Sequence, residues 1–273
     1  MLLLVALSAL FAPLIAPYDP AAQLDIVRLQ NQPPSLAHLM GTDQVSRDVL
    51  SRLLFGTRIS LAIGFGAVAL SMSIGIAIGA TAGLAGGWVD AVLMRLVDAA
   101  LSVPRILILI LVVSLWDSVG LVPLVLLMAG TGWFATCRLI RAETLAIRDR
   151  EFVVAARALG SSPARLLVRH VLPNVLSPAL VAATLGIANV ILLEAGLSYL
   201  GIGLRPPAAS WGTIIQDGAE RVQDLWWLTL FPGLAILVTV FACNALGDAL
   251  RDAFDPRQLP RGMTDATFAT EEA

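Results

Sequence analysis

Lysine is absent from this sequence of 273 residues, in which all 18 basic side chains are arginines. A phosphate-binding loop of the Walker A type needs a lysine to reach the nucleotide phosphates, so the chain cannot itself be an ATPase of that class. Schiff-base catalysis needs a lysine amine and is excluded for the same reason. The formal net charge of -2 offers no basic surface for nucleic acid, and we predict no nucleic-acid partner.

Cysteine and histidine are scarce, with two residues of each type. Cys137 and Cys243 each lie near the end of an apolar run, on the side that the arginine distribution described below predicts to be cytoplasmic. Disulfides are rare in that compartment, and two cysteines alone make no metal site. Ser198 and His170 would suit a serine hydrolase, but they stand at opposite ends of one predicted helix, about 42 Å apart. We therefore predict no catalytic residue, no metal site and no cofactor, and we do not expect an enzyme.

Charged residues are also few, at 14% of the chain against about 25% in a typical soluble domain. Hydrophobic residues make up 58%, and the mean hydropathy is +0.83. A globule of this size cannot hide so much apolar surface from water. The composition therefore predicts a membrane protein with several spans, surrounded by lipid.

Apolar runs near the length of about 20 residues that a spanning helix needs recur along the chain. We predict an all-α integral membrane protein with six transmembrane helices. The runs are Met1–Pro17, Ile59–Val89, Ala99–Trp116, Leu121–Cys137, Val175–Leu193 and Leu228–Gly247. The first run is short, and no basic residue precedes it. It is either a cleaved signal or, as we favour, a first transmembrane helix whose cytoplasmic start is missing, and both place Tyr18 outside.

These runs divide the chain into four regions. Residues 1–17 form the first transmembrane helix, and residues 18–58 form an external segment with an interfacial helix from Val49. Residues 59–248 form a five-helix core that includes a cytoplasmic loop at 143–174, and residues 249–273 form a cytoplasmic tail. Asp43 and Asp48 in the external segment are more consistent with salt-bridged packing than with catalysis.

The distribution of arginine predicts the orientation in the membrane. The segment from Arg138 to Arg169 contains seven arginines against three acidic residues. Because loops rich in arginine stay on the cytoplasmic side, this loop and both chain termini should be inside the cell. The predicted location is the cytoplasmic (inner) membrane.

Small residues recur every fourth position in the second run and include Gly75, Gly79 and Gly83. Such a stripe lets another helix approach closely, and it serves either static packing or a sliding, gating contact.

Two ionisable residues lie within predicted spans, and such residues are candidates for a translocation path. Arg105 could face a water-filled path or pair with Asp98, and we favour the pairing. Arg95 is also expected to pair with Asp98, three residues away. Glu194 is either a gate or path residue or a hydrogen-bond partner of the backbone or of Asn189.

The segment 151–173, which we call the elbow, should form two short helices. Asp149 is the expected N-cap of the first helix, and Gly160 is where that helix should stop. Ser162 and Pro163 then restart a helix as cap and first helical residue.

The elbow contains Val154-Ala155-Ala156, then Gly160, then His170-Val171-Leu172-Pro173. This pattern resembles the EAA loop of permeases of binding-protein-dependent ABC importers, although Val154 stands where the loop's name residue is glutamate. The segments 41–52, 169–174 and 197–212 resemble the dipeptide/oligopeptide/nickel branch of this family. In the first segment Ser46 stands where that branch usually has glycine, and the third segment contains Pro206-Pro207 and Ser210-Trp211-Gly212.

The resemblance implies the type I (MetI-like) permease fold and a coupling helix that docks on an ATPase subunit. It implies four kinds of partner: a second homologous permease subunit, two cytoplasmic ATP-binding subunits, an external (periplasmic) solute-binding protein and membrane lipid. The docking residues it suggests are Val154, Ala155, Ala156, Arg157, Gly160, Ser161, Ser162, Arg165 and Pro173. The implied solutes are di- or oligopeptides, with nickel or another small solute as the alternative. A channel or secondary transporter independent of ATP is the rival class.

Overall fold

The computed structural model describes residues 1–116, 119–205 and 207–254, and every regular element in these ranges is a helix. In chain order the helices are α1 (Leu2–Leu10), α2 (Ala12–Ile15), α3 (Ile26–Leu29), α4 (Val49–Ala85), α5 (Gly87–Leu101), α6 (Arg105–Ser114), α7 (Leu121–Arg148), α8 (Glu151–Ala158), α9 (Pro163–Leu166), α10 (Leu172–Tyr199), α11 (Trp211–Gly218) and α12 (Trp227–Phe254). Residues 249–254 of the predicted tail belong to α12, and the rest of the tail lies outside the described residues. Pro206 and residues 117–118 also lie outside them.

Helix α4 is the longest element. Asp48 caps the start of α4 by accepting a hydrogen bond from Ser51 N. The helix ends at Ala85, and Gly86 after it has a φ of +65°. Its 37 residues correspond to about 55 Å, well beyond the hydrocarbon core of a bilayer. The interfacial helix expected from Val49 is not a separate element, because no proline interrupts the chain between Val49 and Ala85.

Four helical segments in the described ranges are long and apolar enough to cross a membrane: α4, α7, the continuous stretch Pro163–Tyr199, and α12. A fifth span exists if α5 and α6, bent by 74° at their junction, count as one. The predicted third span is therefore broken. Pro104 has no N–H to donate and disfavours helical backbone in Val103 before it. Helices α1 and α2 have 9 and 4 residues, too few to cross, so the structure does not confirm six spans.

The contact between α4 and α7 is the most extensive in the bundle. It is formed at the glycine stripe, which consists of Gly75, Gly79 and Gly83. A Cβ added at Gly75 would lie 3.0 Å from Trp133 O, and one at Gly83 would lie 3.0 Å from Arg141 O. The stripe is therefore packed directly against the backbone of α7. A gating role for the stripe remains a prediction.

The spans share two ends. Thr81 and Ala85 near the end of α4 lie beside Arg157 of the elbow, and Arg251 of α12 lies near Ser177 at the start of α10. We call this the elbow end. The other end of the bundle contains the start of α4, helix α11 and the start of α12, and we call it the opposite end.

Candidate functional site

The elbow is built from α8, a glycine turn and α9. Helix α8 ends where Gly160 adopts a φ of +82°, and Gly160 N donates to Arg157 O at 3.0 Å. This left-handed conformation is readily adopted by glycine. Helix α9 begins at Pro163, and Ser162 Oγ accepts a hydrogen bond from Arg165 N at 3.4 Å. The predicted stop and restart are therefore confirmed.

The N-cap prediction at Asp149 is wrong. Helix α7 continues to Arg148, so Asp149 is the residue that ends α7. Only Arg150 has the extended backbone that an N-cap of α8 requires, and its side chain makes no capping hydrogen bond. The Asp149 carboxylate instead accepts a hydrogen bond from Arg148 Nε at 3.4 Å.

The outer surface of the elbow is open and largely apolar. The exposed fraction is 88% for Leu159, 63% for Val168 and 49% for Val154. No heavy atom lies within 4 Å of the position that a Cβ on Gly160 would take. Of the nine predicted docking residues, seven are exposed and two, Ala156 and Ser161, are half-buried. The surface is therefore accessible to a partner.

A groove of about 580 Å³ lies between the elbow and the end of α4. Leu84 and Ala85 of α4 line one side, and Arg157 and Leu167 of the elbow line the other. Within the described ranges, neither Arg157 nor Arg165 belongs to an ion pair. Their charges are therefore available to an acidic group on another chain.

The elbow is continuous with the span α10 through a π-helical turn at Leu167–Val171. Pro173 cannot donate to the carbonyl of Arg169 four residues earlier, which favours a widened turn at this point. The side chain of Asn174 donates to His170 O at 2.7 Å and satisfies another of the carbonyls in this turn. The second half of the elbow and α10 therefore form one continuous helical stretch from Pro163 to Tyr199.

Arg105 begins α6, directly after the break at Pro104. Its Nη2 donates to Met128 O at 2.6 Å, and its Nε donates to Thr131 Oγ1 at 3.1 Å, both on α7. The expected pairing of Arg105 with Asp98 is wrong, because the bend at the break directs Arg105 toward α7.

Two arginines of α7 hold α5 against the bundle. Arg138 forms an ion pair with Asp98, and Arg141 Nη2 donates to Asp90 Oδ2 at 2.6 Å. The expected pair between Arg95 and Asp98 is therefore replaced by a contact between helices. Two of the arginines after the fourth predicted span therefore serve packing between α7 and α5.

Arg105 lies between two cavities. The inner cavity, of about 290 Å³, is lined by residues of α4, α7 and α10, and its polar lining includes Ser71, Thr136 and Asn189. The outer cavity, of about 190 Å³, lies beside the break between α5 and α6. Sequence reasoning missed these polar lining residues, although each is a polar side chain within an apolar run.

Glu194 is buried at the opposite end of the bundle. Its Oε1 accepts hydrogen bonds from Ser198 Oγ at 2.7 Å and from Ser210 Oγ at 2.6 Å, and not from Asn189. Its Oε2 has no partner among the described residues. Ser210 also forms the capping box of α11, so Glu194 joins α10 to α11. Glu194 does not line either cavity beside Arg105.

The opposite end contains a group of paired charges, which we call the anchor cluster: Asp43 and Arg52, which are buried, and Arg47 and Asp217, which are half-buried. Asp43 Oδ2 accepts from Arg47 Nε and from Arg52 Nη1, each at 2.6 Å, and Arg52 Nη1 also reaches Asp217 Oδ2 at 2.6 Å. The cluster ties the segment before α4 to α11. The prediction that Asp43 serves salt-bridged packing is confirmed.

Asp48 is likewise held within the fold. Its Oδ1 lies 2.9 Å from His38 Nδ1, and its Oδ2 accepts from Ser51 N and Ser51 Oγ, each at 2.8 Å. Both its oxygens are therefore used in packing the segment before α4 against the start of that helix.

Comparison with known proteins gives three findings. The model of the family described as "Binding-protein-dependent transport system inner membrane component" matches residues 75–259. The Di/tripeptide transport system permease protein DppC of Pseudomonas aeruginosa (strain UCBPP-PA14) is 39% identical over 262 residues, which cover 94% of this chain and 86% of that protein. A protein of Brucella suis biovar 1 (strain 1330), whose name describes a peptide permease, is 45% identical over 247 residues, covering 90% of this chain and 81% of its own length.

The fold is also similar to that of a solved structure. A chain of the MetNI methionine ABC transporter in an inward facing conformation aligns with a TM-score of 0.58 and 19% sequence identity. The alignment covers 74% of this chain and 97% of that chain. The predicted MetI-like architecture is therefore confirmed at the level of the fold.

Proposed function

The chain belongs to the family of binding-protein-dependent transport system inner membrane components, and we propose that it is the transmembrane permease subunit of an ATP-driven ABC importer. Its partners in this proposal are a second homologous permease subunit, two cytoplasmic ATP-binding subunits and an external solute-binding protein. ATP hydrolysis takes place in the separate subunits, and this chain provides part of the path through the membrane.

The observation that best supports this proposal is the open surface of the elbow. A loop that only connected two spans would have no need for exposed Leu159, Val168 and Val154 beside arginines that form no ion pair with any residue the structure describes. Apolar side chains with a cation at their edge are typical of the centre and rim of a docking surface. We therefore assign the elbow as the surface that enters a cleft of the ATP-binding subunit.

The mechanism follows from the continuity of the elbow with α10. The solute-binding protein delivers the solute to the external face, and ATP binding draws the two ATP-binding subunits together. Because each elbow is seated in one of them, this motion displaces the elbow and tilts α10 through the π-helical turn. The path between the permease subunits then opens alternately to the two sides.

The proposed topology has six spans in the cytoplasmic (inner) membrane, with both termini in the cytoplasm. The count takes the bent pair α5–α6 as one span and residues 1–17 as another. The excess of arginine at the elbow end supports a cytoplasmic position for that end, and Phe254 lies there too. Cysteine labelling from either side of sealed vesicles, at single cysteines placed at Ala21 and Ser161, tests this orientation.

We propose di- or oligopeptides as the solutes. Two of the named relatives, at 39% and 45% identity over most of both chains, are described as permeases for peptides. The resemblance of the segments at 41–52, 169–174 and 197–212 to the same branch agrees with that assignment.

The test is a pull-down of the tagged chain from gently solubilised native membranes, with the co-purifying proteins identified by mass spectrometry. The expected result is that a second permease and ATP-binding subunits co-purify with the chain. In a parallel assay, uptake of a labelled dipeptide by the same membranes should stop when ATP is depleted. An unrelated six-span protein with the same tag is the control. Recovery of the chain alone, with uptake that persists without ATP, would instead indicate a channel or secondary transporter.

A further inference from the structure

Arg105 is a half-buried cation at the start of α6, packed against the apolar span α7, and no carboxylate pairs with it in the part of the chain that the structure describes. The ion pairs found there involve other arginines. The contacts of Arg105 are with neutral groups, the carbonyl of Met128 and the hydroxyl of Thr131. An unneutralised charge at this depth is costly, so its presence calls for a function.

The guanidinium is held in place and still has donors to spare. It presents five N–H groups, and among the described residues the two contacts on α7 use two of them. Gly132 makes room for it, because a Cβ at that position would lie 3.1 Å from Arg105 Nη2. The remaining donors suit bidentate binding of a carboxylate, for which the planar guanidinium is the best matched side chain.

The surroundings restrict what can bind there. Arg105 is the only charged side chain among the described residues that line the inner and outer cavities. Ser71, Thr136 and Asn189 add neutral donors and acceptors of the kind that peptide amides need. The inner cavity of about 290 Å³ is just below the range of about 300–1,000 Å³ that is typical of ligand pockets, which favours a short solute.

We propose that Arg105 is the residue on the translocation path that binds the carboxylate of a short peptide, an assignment that rests on the importer function proposed above. The guanidinium stands between the two cavities and would receive the solute's carboxylate as it passes between α4, α7 and α10. A bare metal cation would be repelled at the same point, so the assignment also favours peptides over nickel ions.

The test is uptake by the assembled importer, reconstituted with its solute-binding protein in vesicles that contain ATP. The two probes are labelled dialanine and dialanine amide, which lacks the carboxylate. Arg105→Gln should lower dialanine uptake at least tenfold and change uptake of the amide less than twofold. Arg95→Gln makes the same change at an exposed arginine of α5 that lines neither cavity, and it is the matched control, with both rates within about twofold of wild type.

The outcomes separate this inference from the proposed function. Unchanged dialanine uptake by Arg105→Gln, or an equal fall for both probes, would overturn the role of Arg105 and leave the importer function standing. Absence of ATP-dependent dialanine uptake by the wild-type complex would overturn the proposed function itself. Co-purification of Arg105→Gln with the ATP-binding subunits verifies that the variant folds and assembles.

A second variant tests the role of Arg105 with dialanine as the only probe. It is used if the solute-binding protein does not bind dialanine amide. In Arg105→His the charge depends on pH, with protonation below about pH 6.5 in an unperturbed histidine. The ratio of dialanine uptake at pH 5.5 to uptake at pH 8 should rise at least threefold over the wild-type ratio. A histidine variant with the wild-type ratio would show that the positive charge is not what the solute uses.

Discussion

The two ends of the bundle differ in how the charged and apolar side chains of the anchor cluster and of the elbow are placed. At the opposite end, Asp43 and Arg52 are buried and paired within the chain, and Trp227 and Leu225 are almost completely buried. At the elbow end, Leu159 is 88% exposed and nothing approaches Gly160. The anchor cluster pairs its charges within the chain and stabilises the fold. The elbow leaves apolar side chains exposed, which agrees with the docking role proposed for it.

The largest expected effect comes from filling the open side of the elbow. Gly160→Trp should lower ATP-driven uptake at least tenfold, because the indole would occupy space that the ATP-binding subunit needs. Gly160→Asn is the matched control, since asparagine tolerates the left-handed backbone and adds little bulk. Uptake of a labelled dipeptide in vesicles measures both, with membrane insertion checked by fractionation. Normal uptake by the tryptophan variant would contradict the proposed docking role of the elbow.

The next effect comes from breaking the anchor cluster. Asp43→Asn removes the charge that Arg47 and Arg52 share, and loss of one partner of a buried ion pair costs about 3–5 kcal/mol. The melting temperature of the detergent-purified protein should fall clearly. Asp224→Asn is the control, because its pair with Arg221 is exposed and contributes at most about 1 kcal/mol. Equal falls for the two variants would contradict the contrast between buried and open charge.

The same leucine-to-alanine substitution, made once at each end of the bundle, tests the comparison further. Leu225→Ala leaves a cavity in the small core around Val49 and Ile214 and should cost about 2–5 kcal/mol of stability. Leu159→Ala should leave the melting temperature unchanged, because the side chain touches little in the isolated chain. It should instead weaken co-purification of the ATP-binding subunit by about 1 kcal/mol of binding free energy. A destabilised Leu159 variant would show that the elbow is not open in the protein.

The smallest expected effect concerns Glu194. Glu194→Gln keeps an oxygen that accepts from Ser198 and Ser210, so stability should change by less than about 1 kcal/mol and uptake by less than twofold. Glu194→Leu leaves the two buried hydroxyls without an acceptor and should cost about 1–3 kcal/mol. Thermal denaturation and uptake are measured together. If the glutamine variant alone abolished uptake, the negative charge would be needed and Glu194 would be a gate or path residue.

Local sequence chemistry predicted the elbow well. Gly160, Ser162 and Pro163 act through their own backbone and nearest neighbours, so their spacing is sufficient to place the turn and the restart. Asp149 was misassigned because the length of α7 depends on packing against α4 and not on the capping preference of one residue. Two residues separate α7 from α8, and that leaves Asp149 on the end of α7.

The ion pairs of α5 could not be predicted from spacing. Arg95 and Asp98 are three residues apart on one helix, yet Asp98 pairs with Arg138, which lies on another helix. A contact between helices depends on the angle at which they cross. The bend of 74° at Pro104 changes that angle for every residue after it, and it also moves Arg105 away from Asp98.

The sequence by itself determined that this is a helical membrane protein, which end of it is rich in arginine, and which segment forms the elbow. Those properties follow from composition, from runs of apolar residues and from the backbone preferences of glycine and proline. Only the tertiary structure decided which charges are satisfied within the chain. Asp43 finds Arg52 at the start of α4, Arg105 finds neutral groups on α7, and Arg157 finds no ion-pair partner among the described residues. The physical reason is that neutralising a charge depends on distances between helices, which no local pattern encodes.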